Sequence, residues 1–438
     1  MPKNAPAVTA RSLALRSLTA LEREGRYVNL EIDARLKAEG KDLSPADRGL
    51  YTRLVYGVTE KRLTLDYIAS RFSNRPVGDM DPDTRNAVRL GLYQLTCADR
   101  IPDHAAVDAT VSLVSGGRAG FVNAVLRSFI RAGKNVPWPD PEKDRFYSLS
   151  VRYSVPEALI RLYTDALDDE DEIEDLLRAL DREPKLCLRI NTLRLTAEEA
   201  AERTGGTLSK IAPDTVLADS LTEEIRRGIS EGLWFVQDEA SRIAAAAVGA
   251  RPGERIADTC ACPGGKTFSM AIDMEDRGEI FAFDLHGNKL SLVRRGAETL
   301  GLSVVHTEER DARQPDPALA GTCDRVLCDA PCSGYGVIAK KPDLRYKDPA
   351  TAGRLPEIQK EVLRGAAEYV RPGGVLVYST CTLCRAENET VVKDFLEARP
   401  EFAPAPDPFL GESGMRVFWP HRDGCDGFFA AKMIRRQM

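Results

Sequence analysis

The sequence has no long apolar run. Nothing in it approaches the roughly 18 residues that a membrane span requires. Met1 to Arg16 also lacks the apolar core of a secretory leader. A cytoplasmic protein with no membrane partner is therefore expected. Histidine is scarce: His104, His286, His306 and His421 are the only four, none at zinc-finger spacing. Ten cysteines in 438 residues do not make a disulfide framework. Three pairs lie close in sequence, Cys260/Cys262, Cys328/Cys332 and Cys381/Cys384, and raise a zinc reading. Strand ends and turns explain their placement more simply, so no metal is expected. Two phosphate-binding patterns are missing as well. Gly265-Lys266-Thr267 would complete a P-loop only with glycine at position 260, which is Cys260. The dinucleotide pattern Gly-x-Gly-x-x-Gly is absent from the same turn.

What is present is an ordinary globular composition, 43% hydrophobic and 29% charged, long enough for two or three domains. The net charge of −6 is unevenly spread. Residues 1–135 carry 21 Lys and Arg against 15 Asp and Glu; the remainder carries 40 against 52. A basic N-terminal part on an acidic body suits an anionic partner such as nucleic acid. A solvated, arginine-rich helical surface would give the same count.

Residues 7–133 read as about six helices, with Leu13, Leu18 and Leu21, Leu50, Leu54 and Val58, or Val88, Leu92 and Leu95 at helical spacing. Ser44-Pro45, Asp81-Pro82 and Pro102-Asp103 mark helix starts. Pro137, Pro139 and Pro141 around Trp138 mark a linker or strap over 136–150. Residues 151–235 predict a small α+β module. Two helices fall within Val155 to Leu180, strands over 185–191 and 232–236, and Thr196-x-x-Glu199 forms a capping box. From 236 to 438, strands and helices alternate, which predicts a Rossmann-like α/β domain with a mostly parallel sheet. Strands end at Asp258, Asp284, about Glu308, Asp329 and Ser379. Helices are predicted over 264–275, 287–300, 352–370 and 385–398, and terminal strands over 415–419 and 427–434.

Ligands of such sheets sit at the carboxyl ends of the strands. The turn Cys260-Ala261-Cys262-Pro263-Gly264-Gly265-Lys266-Thr267 follows the first strand. Asp258, Asp284, Asp311 and Asp329 fall at the strand ends. A single such aspartate is most simply a helix cap. Four beside one glycine turn favour a nucleoside: Asp284 suits ribose hydroxyls, Asp311 an adenine amino group. With the phosphate patterns missing, S-adenosylmethionine is the remaining common ligand. Cysteines are usually small buried core residues, which suits Cys97, Cys187, Cys323 and Cys328; Cys384 and Cys425 are read as structural. Cys332 and Cys381 directly follow strands, and Cys332 must lie in a turn. Turn-borne thiols beside a cation, here Lys266, are where reactive thiolates occur. Such a thiolate suits cytosine C5 methylation. Addition to C6 makes C5 nucleophilic, and an acid such as Asp329, sharing a proton with N3, stabilises the adduct. The thiol pKa should then be lowered, and the base must be unpaired or flipped out.

Asp258 to Thr267, Asp329-Ala-Pro-Cys-Ser-Gly334 and Tyr378-Ser-Thr-Cys-Thr382 together resemble the motifs of the RNA cytosine-5 methyltransferases. Leu188 to Thr192, Val236 to Ser241 and Asp426-Gly-Phe-Phe429 add flanking matches. The first 135 residues resemble the NusB-type RNA-binding helical fold, at Asp47 to Gly57, Leu90 to Gln94, His104 to Asp108 and Gly120 to Arg127. The combination is similar to the bacterial 16S ribosomal RNA methyltransferases of the RsmB/Sun type. The resemblance implies S-adenosyl-L-methionine as cofactor and small-subunit ribosomal RNA as partner, with cytosine 967 the target. It also implies Cys381 as nucleophile and Cys332 as the thiol that assists release, with Asp329 and Lys266 beside them. Donor contacts would fall on Cys260, Ala261, Cys262, Pro263, Gly264, Gly265, Lys266, Asp284, Asp311 and Asp329. The DNA enzymes use the Pro-Cys thiol instead, and position alone does not choose between the two. Cys262 stands where alanine is usual, Tyr335 where a small residue or threonine is common, and Cys384 where leucine is common. Cys262 would add an oxidisable thiol, and Tyr335 would alter access of the base. An RNA-binding assembly factor with an idle donor fold is the rival from another class. No stable protein partner is expected, and a monomer is the default. Arg11, Arg16, Arg118, Arg127 and Arg189 are candidate phosphate contacts.

Overall fold

A computed structural model describes residues 8–98, 101–349 and 353–437. Its contacts divide the chain into two units, Met1–Leu177 with Lys340–Lys347, and Arg178–Ala339 with Asp348–Met438. Among the described residues, no helix is long and apolar enough to cross a membrane.

The first unit is helical: α1 (Ala10–Glu24), α2 (Val28–Glu39), α3 (Pro45–Glu60), α4 (Arg62–Phe72), α5 (Pro82–Cys97), α6 (Asp103–Val111), α7 (Gly117–Arg131), α8 (Arg145–Tyr153) and α9 (Glu157–Ala166). Starts follow polar caps. The Ser44 and Asp81 side chains accept from the Asp47 and Thr84 N–H groups, with proline in the first turn of each helix. Among the described residues, seven α-helices precede residue 132, where the periodicity predicts about six helices. The extra break falls at Lys61, at φ −90° and ψ 17°, without glycine or proline to mark it. Helix α5 packs against α1, α3, α4, α6 and α7 and is buried along Ala87 to Leu95. On it, buried Arg89 donates to both Asp66 carboxylate oxygens at 2.7 Å. The proline stretch is a strap on this unit, with Trp138 stacked on Tyr67 at 5.9 Å. It is shorter than predicted, because α8 begins at Arg145, capped by Asp144. Helices α8 and α9 belong with this unit, whereas the sequence reading places most of α8 in the linker and groups α9 with the strands that follow. So does the turn Pro342–Tyr346, where buried Arg345 donates to the Glu60 and Tyr153 carbonyls.

The second unit holds two sheets. The smaller is antiparallel, in the order β2-β3-β1-β4: β1 (Leu186–Ile190), β2 (Thr207–Leu208), β3 (Thr215–Ala218) and β4 (Trp234–Val236). Helix Ala197–Thr204 carries the expected capping box between Thr196 and Glu199. The larger sheet contains β5 (Arg255–Asp258), β6 (Glu279–Asp284), β7 (Val305–Glu309), β8 (Cys323–Asp329), β9 (Val370–Thr380), β10 (Phe402–Pro404), β11 (Met415–Phe418) and β12 (Phe428–Arg435). Its order is β10-β12-β9-β8-β5-β6-β7, with β11 on β12. Strands β5 to β9 are mutually parallel, β12 runs antiparallel to β9, and β10 and β11 pair antiparallel with β12, so the sheet is Rossmann-like and mostly parallel. Parallel strands buried on both faces need near-continuous apolar runs, and Val326, Leu327, Leu376 and Val377 supply them. The helix predicted over 352–370 runs from Leu355 to Tyr369; 352 itself lies outside the described residues. The helix predicted over 385–398 is a 3₁₀ turn, Arg385–Glu387, followed by helix Glu389–Ala398.

A buried ion cluster ties the small sheet to the large one. Asp273 accepts from Arg189 at 2.9 Å and from both Arg242 terminal nitrogens at 2.8 and 2.9 Å. Arg189 is fully buried, and desolvation, with Arg242 nearby, lowers its pKa to about 10. It therefore cannot contact a phosphate as expected. Removing the acid leaves the two buried guanidinium groups only Asp214 as a carboxylate partner among the described residues, at 3.4 and 3.7 Å. Asp273→Ala is predicted to cost about 3 kcal/mol, the lower end for breaking a buried pair. Asp103→Ala, which breaks the exposed pair with Lys134, should cost about 1 kcal/mol or less. Urea unfolding checks both; equal small losses would refute the assignment.

Candidate functional site

The sheet order reverses direction between β5 and β8, so the crevice for a ligand opens at their carboxyl ends. Register brings the strand-end residues level. Asp258 pairs with Leu327 and Ala282, Asp284 with Glu309, and Asp329 with Ser379.

The glycine turn leaves β5 and enters helix Gly265–Asp273. Gly264 has φ +116°, and a Cβ there would stand 2.3 Å from the Phe268 ring. Only glycine allows this backbone. The turn is pinned by Asp284, whose two oxygens accept from the Cys262 N–H at 3.2 Å and the His286 N–H at 2.9 Å. Asp311 lies beyond β7, its carboxylate gripped by the Arg313 guanidinium at 2.6–3.1 Å, which holds its pKa below the usual range. Gln237 sits behind the turn. Its Oε1 accepts from Ser269 at 2.7 Å, while its buried Nε2 has no acceptor among the described residues. That amide nitrogen lies 3.5 Å from where a Cβ on Gly265 would stand. An orphaned donor, a helix N-terminus and two strand-end carboxylates fit an anionic, hydroxylated nucleoside. The thiols of the turn are quiet. Burial raises Cys260 well above its ordinary value, and burial with Asp284 pushes Cys262 up to about 12. Cys262, half-buried, is held as a thiol, the form less readily oxidised than a thiolate.

The second cluster joins the ends of β8 and β9. Cys332 and Cys381 face each other with sulfurs 3.2 Å apart, and the Cys381 N–H donates to the Cys332 sulfur at 3.3 Å. Lys266 donates to Asp329 Oδ2 at 2.6 Å, and the Ser379 hydroxyl donates to Oδ1 at 2.7 Å. The same ammonium lies 5.1 Å from the centre of the Phe428 ring. Its pKa is raised; burial opposes the rise, and Asp329 and Cys381 carry it. So Lys266 does neighbour a thiol, but that thiol is Cys381. The expected lowering does not occur at Cys332. Hydrogen bonding to Cys381 and burial hold Cys332 well above the ordinary range, and therefore protonated.

Backbone contacts lock the two thiol turns together. The Gly336 N–H donates to the Cys381 carbonyl at 3.0 Å, and the Gly427 N–H donates to the Gly336 carbonyl at 2.9 Å. A Cβ on Gly336 would stand 1.9 Å from the Gly427 oxygen. Motif Asp426-Gly-Phe-Phe429 thus supplies the close approach at Gly427 and the ring over Lys266. Tyr335 is buried rather than lining an entrance. Sequence reasoning missed the contacts that Gln237 and Ser379 make here. The parallel strand register alone could have paired Ser379 with Asp329. Cys187, Cys323, Cys328 and Cys425 are buried, whereas Cys97 and Cys384 are half-buried. Among the described residues, no cluster of His, Cys, Asp or Glu could hold a metal ion. Of the proposed phosphate contacts, Arg16 pairs with Glu39, Arg118 with Asp81 and Asp83, and Arg127 with Asn123 and Asp108, all partly exposed. Arg11 donates to Gln94.

The NusB family description matches residues 8–131, and that of the 16S rRNA methyltransferase RsmB/F matches residues 245–434. With the sheet and its glycine seat, this defines the class: an S-adenosylmethionine-dependent methyltransferase with a Rossmann-like sheet and a NusB-type helical domain. Full-length relatives narrow it. The chain is 35% identical to "Probable ribosomal RNA small subunit methyltransferase B" of Bacillus subtilis, over 98% of this chain and 99% of that one. It is 34% identical to ribosomal RNA small subunit methyltransferase B of Thermus thermophilus, over 98% of each. The solved structure of PH0851 superposes with a TM-score of 0.78 at 25% identity, covering 98% of this chain and 99% of that one. The chain belongs to the ribosomal RNA small subunit methyltransferase B family.

Asp258 gives a pH test of the seat. It is buried beneath the turn, accepts from Thr267 at 2.7 Å, and its Oδ1 has no donor among the described residues. Desolvation raises its pKa from 3.8 to about 7. The folded chain thus binds this proton more tightly than the unfolded chain, so the stability it contributes falls as pH rises from about 4 to 7. Asp258→Asn keeps an acceptor for Thr267 and removes the titration. The variant should gain on the wild type in urea midpoint between pH 4.5 and 7.5; a constant difference would refute the assignment.

Proposed function

We propose that the chain transfers a methyl group from S-adenosylmethionine to C5 of a cytosine in 16S ribosomal RNA, through a covalent bond between Cys381 and C6. The RsmB/Sun resemblance points to cytosine 967. The observation that carries the reading is the thiol pair at 3.2 Å beside Lys266 and Asp329.

The donor's carboxylate would sit at the start of helix Gly265–Asp273 near Gln237, its ribose at Asp284 and its base near Asp311. When bound, S-adenosylmethionine supplies the methyl group as a sulfonium. The rest is the work of side chains. The Lys266 charge favours a thiolate at Cys381, which adds to C6 of an unpaired or flipped-out cytosine. Asp329, braced by Ser379, is placed to pass a proton from the Lys266 ammonium that donates to it on to N3 as charge moves into the ring. After methyl transfer, a base such as water takes the C5 proton. The C5–H electrons form the C5=C6 bond, and the C6–S pair departs on the Cys381 sulfur. A protonated Cys332 at 3.2 Å is placed to hydrogen-bond that leaving thiolate. The two thiols therefore divide their roles by charge: the one beside the ammonium attacks, and the one that keeps its proton assists departure.

Each cysteine changed to alanine and mixed with unmethylated small-subunit RNA and donor gives the test. Cys332→Ala is expected to accumulate a protein–RNA adduct that survives denaturing electrophoresis, and Cys381→Ala to form none. The reverse pattern would move the nucleophile to Cys332. Absence of methylation by the wild type would favour a binding factor.

A further inference from the structure

Behind the Cys332 turn lies a buried polar pair that the reaction above does not use. Glu387, 1% exposed, ends the 3₁₀ turn Arg385–Glu387 after β9. Gln359, fully buried, lies on helix Leu355–Tyr369. The Ser333 N–H donates to Glu387 Oε2 at 2.9 Å. Gln359 Nε2 donates to the same oxygen at 2.8 Å and to the Pro331 carbonyl at 2.9 Å. The backbone is thus held on both sides of Cys332, at residues 331 and 333. The hydroxyls of Ser333 and Thr382 meet at 2.8 Å, and Tyr378 donates to the Glu387 carbonyl at 2.7 Å, so the clamp also reaches the Cys381 turn.

A buried carboxylate is costly unless it is paired and fully hydrogen-bonded. Glu387 Oε1 and Gln359 Oε1 both lack a donor among the described residues. A glutamine at 387 would keep an acceptor for the Ser333 N–H without burying a charge, so stability alone does not favour the acid. What the pair sets is the place of one sulfur.

We propose that Glu387, together with Gln359, is a positioning residue for adduct release, acting through Cys332: the clamp fixes the turn so that the Cys332 sulfur stays against Cys381. The carboxylate also adds to the influences that keep Cys332 protonated, alongside Cys381 and Asp329. In the release step itself no atom of Glu387 changes partner. The C6–S pair leaves on Cys381, and the Cys332 S–H is held where it meets that sulfur. The inference rests on the role proposed for Cys332.

The readout is the covalent protein–RNA adduct, a signal that an unfolded enzyme cannot give. Glu387→Ala should accumulate adduct as Cys332→Ala does, with release slowed about tenfold or more, the factor for losing one charge-assisted hydrogen bond. Glu387→Gln, which keeps an acceptor for the Ser333 N–H, should restore release to within a few-fold of wild type. Gln359→Leu provides a second arm should Glu387→Ala fail to fold; it frees the Pro331 carbonyl and should also accumulate adduct. Release at the wild-type rate in Glu387→Ala, or in Gln359→Leu if only that variant folds, would overturn the inference. Failure of Cys332→Ala itself to accumulate adduct would instead overturn the role given to Cys332.

Discussion

The site depends on the register of two parallel strands. Strands β8 and β9 pair so that Asp329 lies opposite Ser379, and each chain turns away within three residues. Both turns therefore begin at the same height, which brings two thiols 49 residues apart in sequence to 3.2 Å. A slip of one residue would face the side chains of β9 the other way. It would also separate Ser379 from the carboxylate it braces. The apolar run Val375–Val377 and the antiparallel partner β12 hold that register.

Charge then distinguishes two otherwise similar sulfurs. Lys266 arrives from the glycine turn, is neutralised by Asp329 and lies under Phe428. Its remaining influence falls on Cys381. Cys332, half-buried and backed by Glu387, is held above the ordinary thiol range. In the proposed mechanism, a cation–acid pair and a buried acid, reached from three different elements, give the two sulfurs different tasks.

Much of this was legible beforehand, because strand ends and helix starts carry local marks. The apolar runs before Asp258, Asp284 and Asp329 terminate where read, and Ser44, Asp81 and Thr196 cap as their side chains allow. What was not legible depends on distant partners. Arg189 looks like any strand arginine until Asp273, 84 residues later, is seen to bury it. Nothing in Pro342–Tyr346 announces that it packs with the helical unit. Strand β2 is two exposed residues, too short for any alternation to register. Glu387 and Gln359 read as ordinary polar helix positions, since their meaning lies in a turn 28 residues before Gln359.

The contact between Gly336 and Gly427 has a temporal side. The loop bearing Cys332 rests on backbone that the ribosome adds more than 90 residues later, and the ring over Lys266 follows immediately. The residues of the donor seat thus all precede, in the chain, the segment that frames the paired sulfurs, and that frame is complete only with β12 paired to β9.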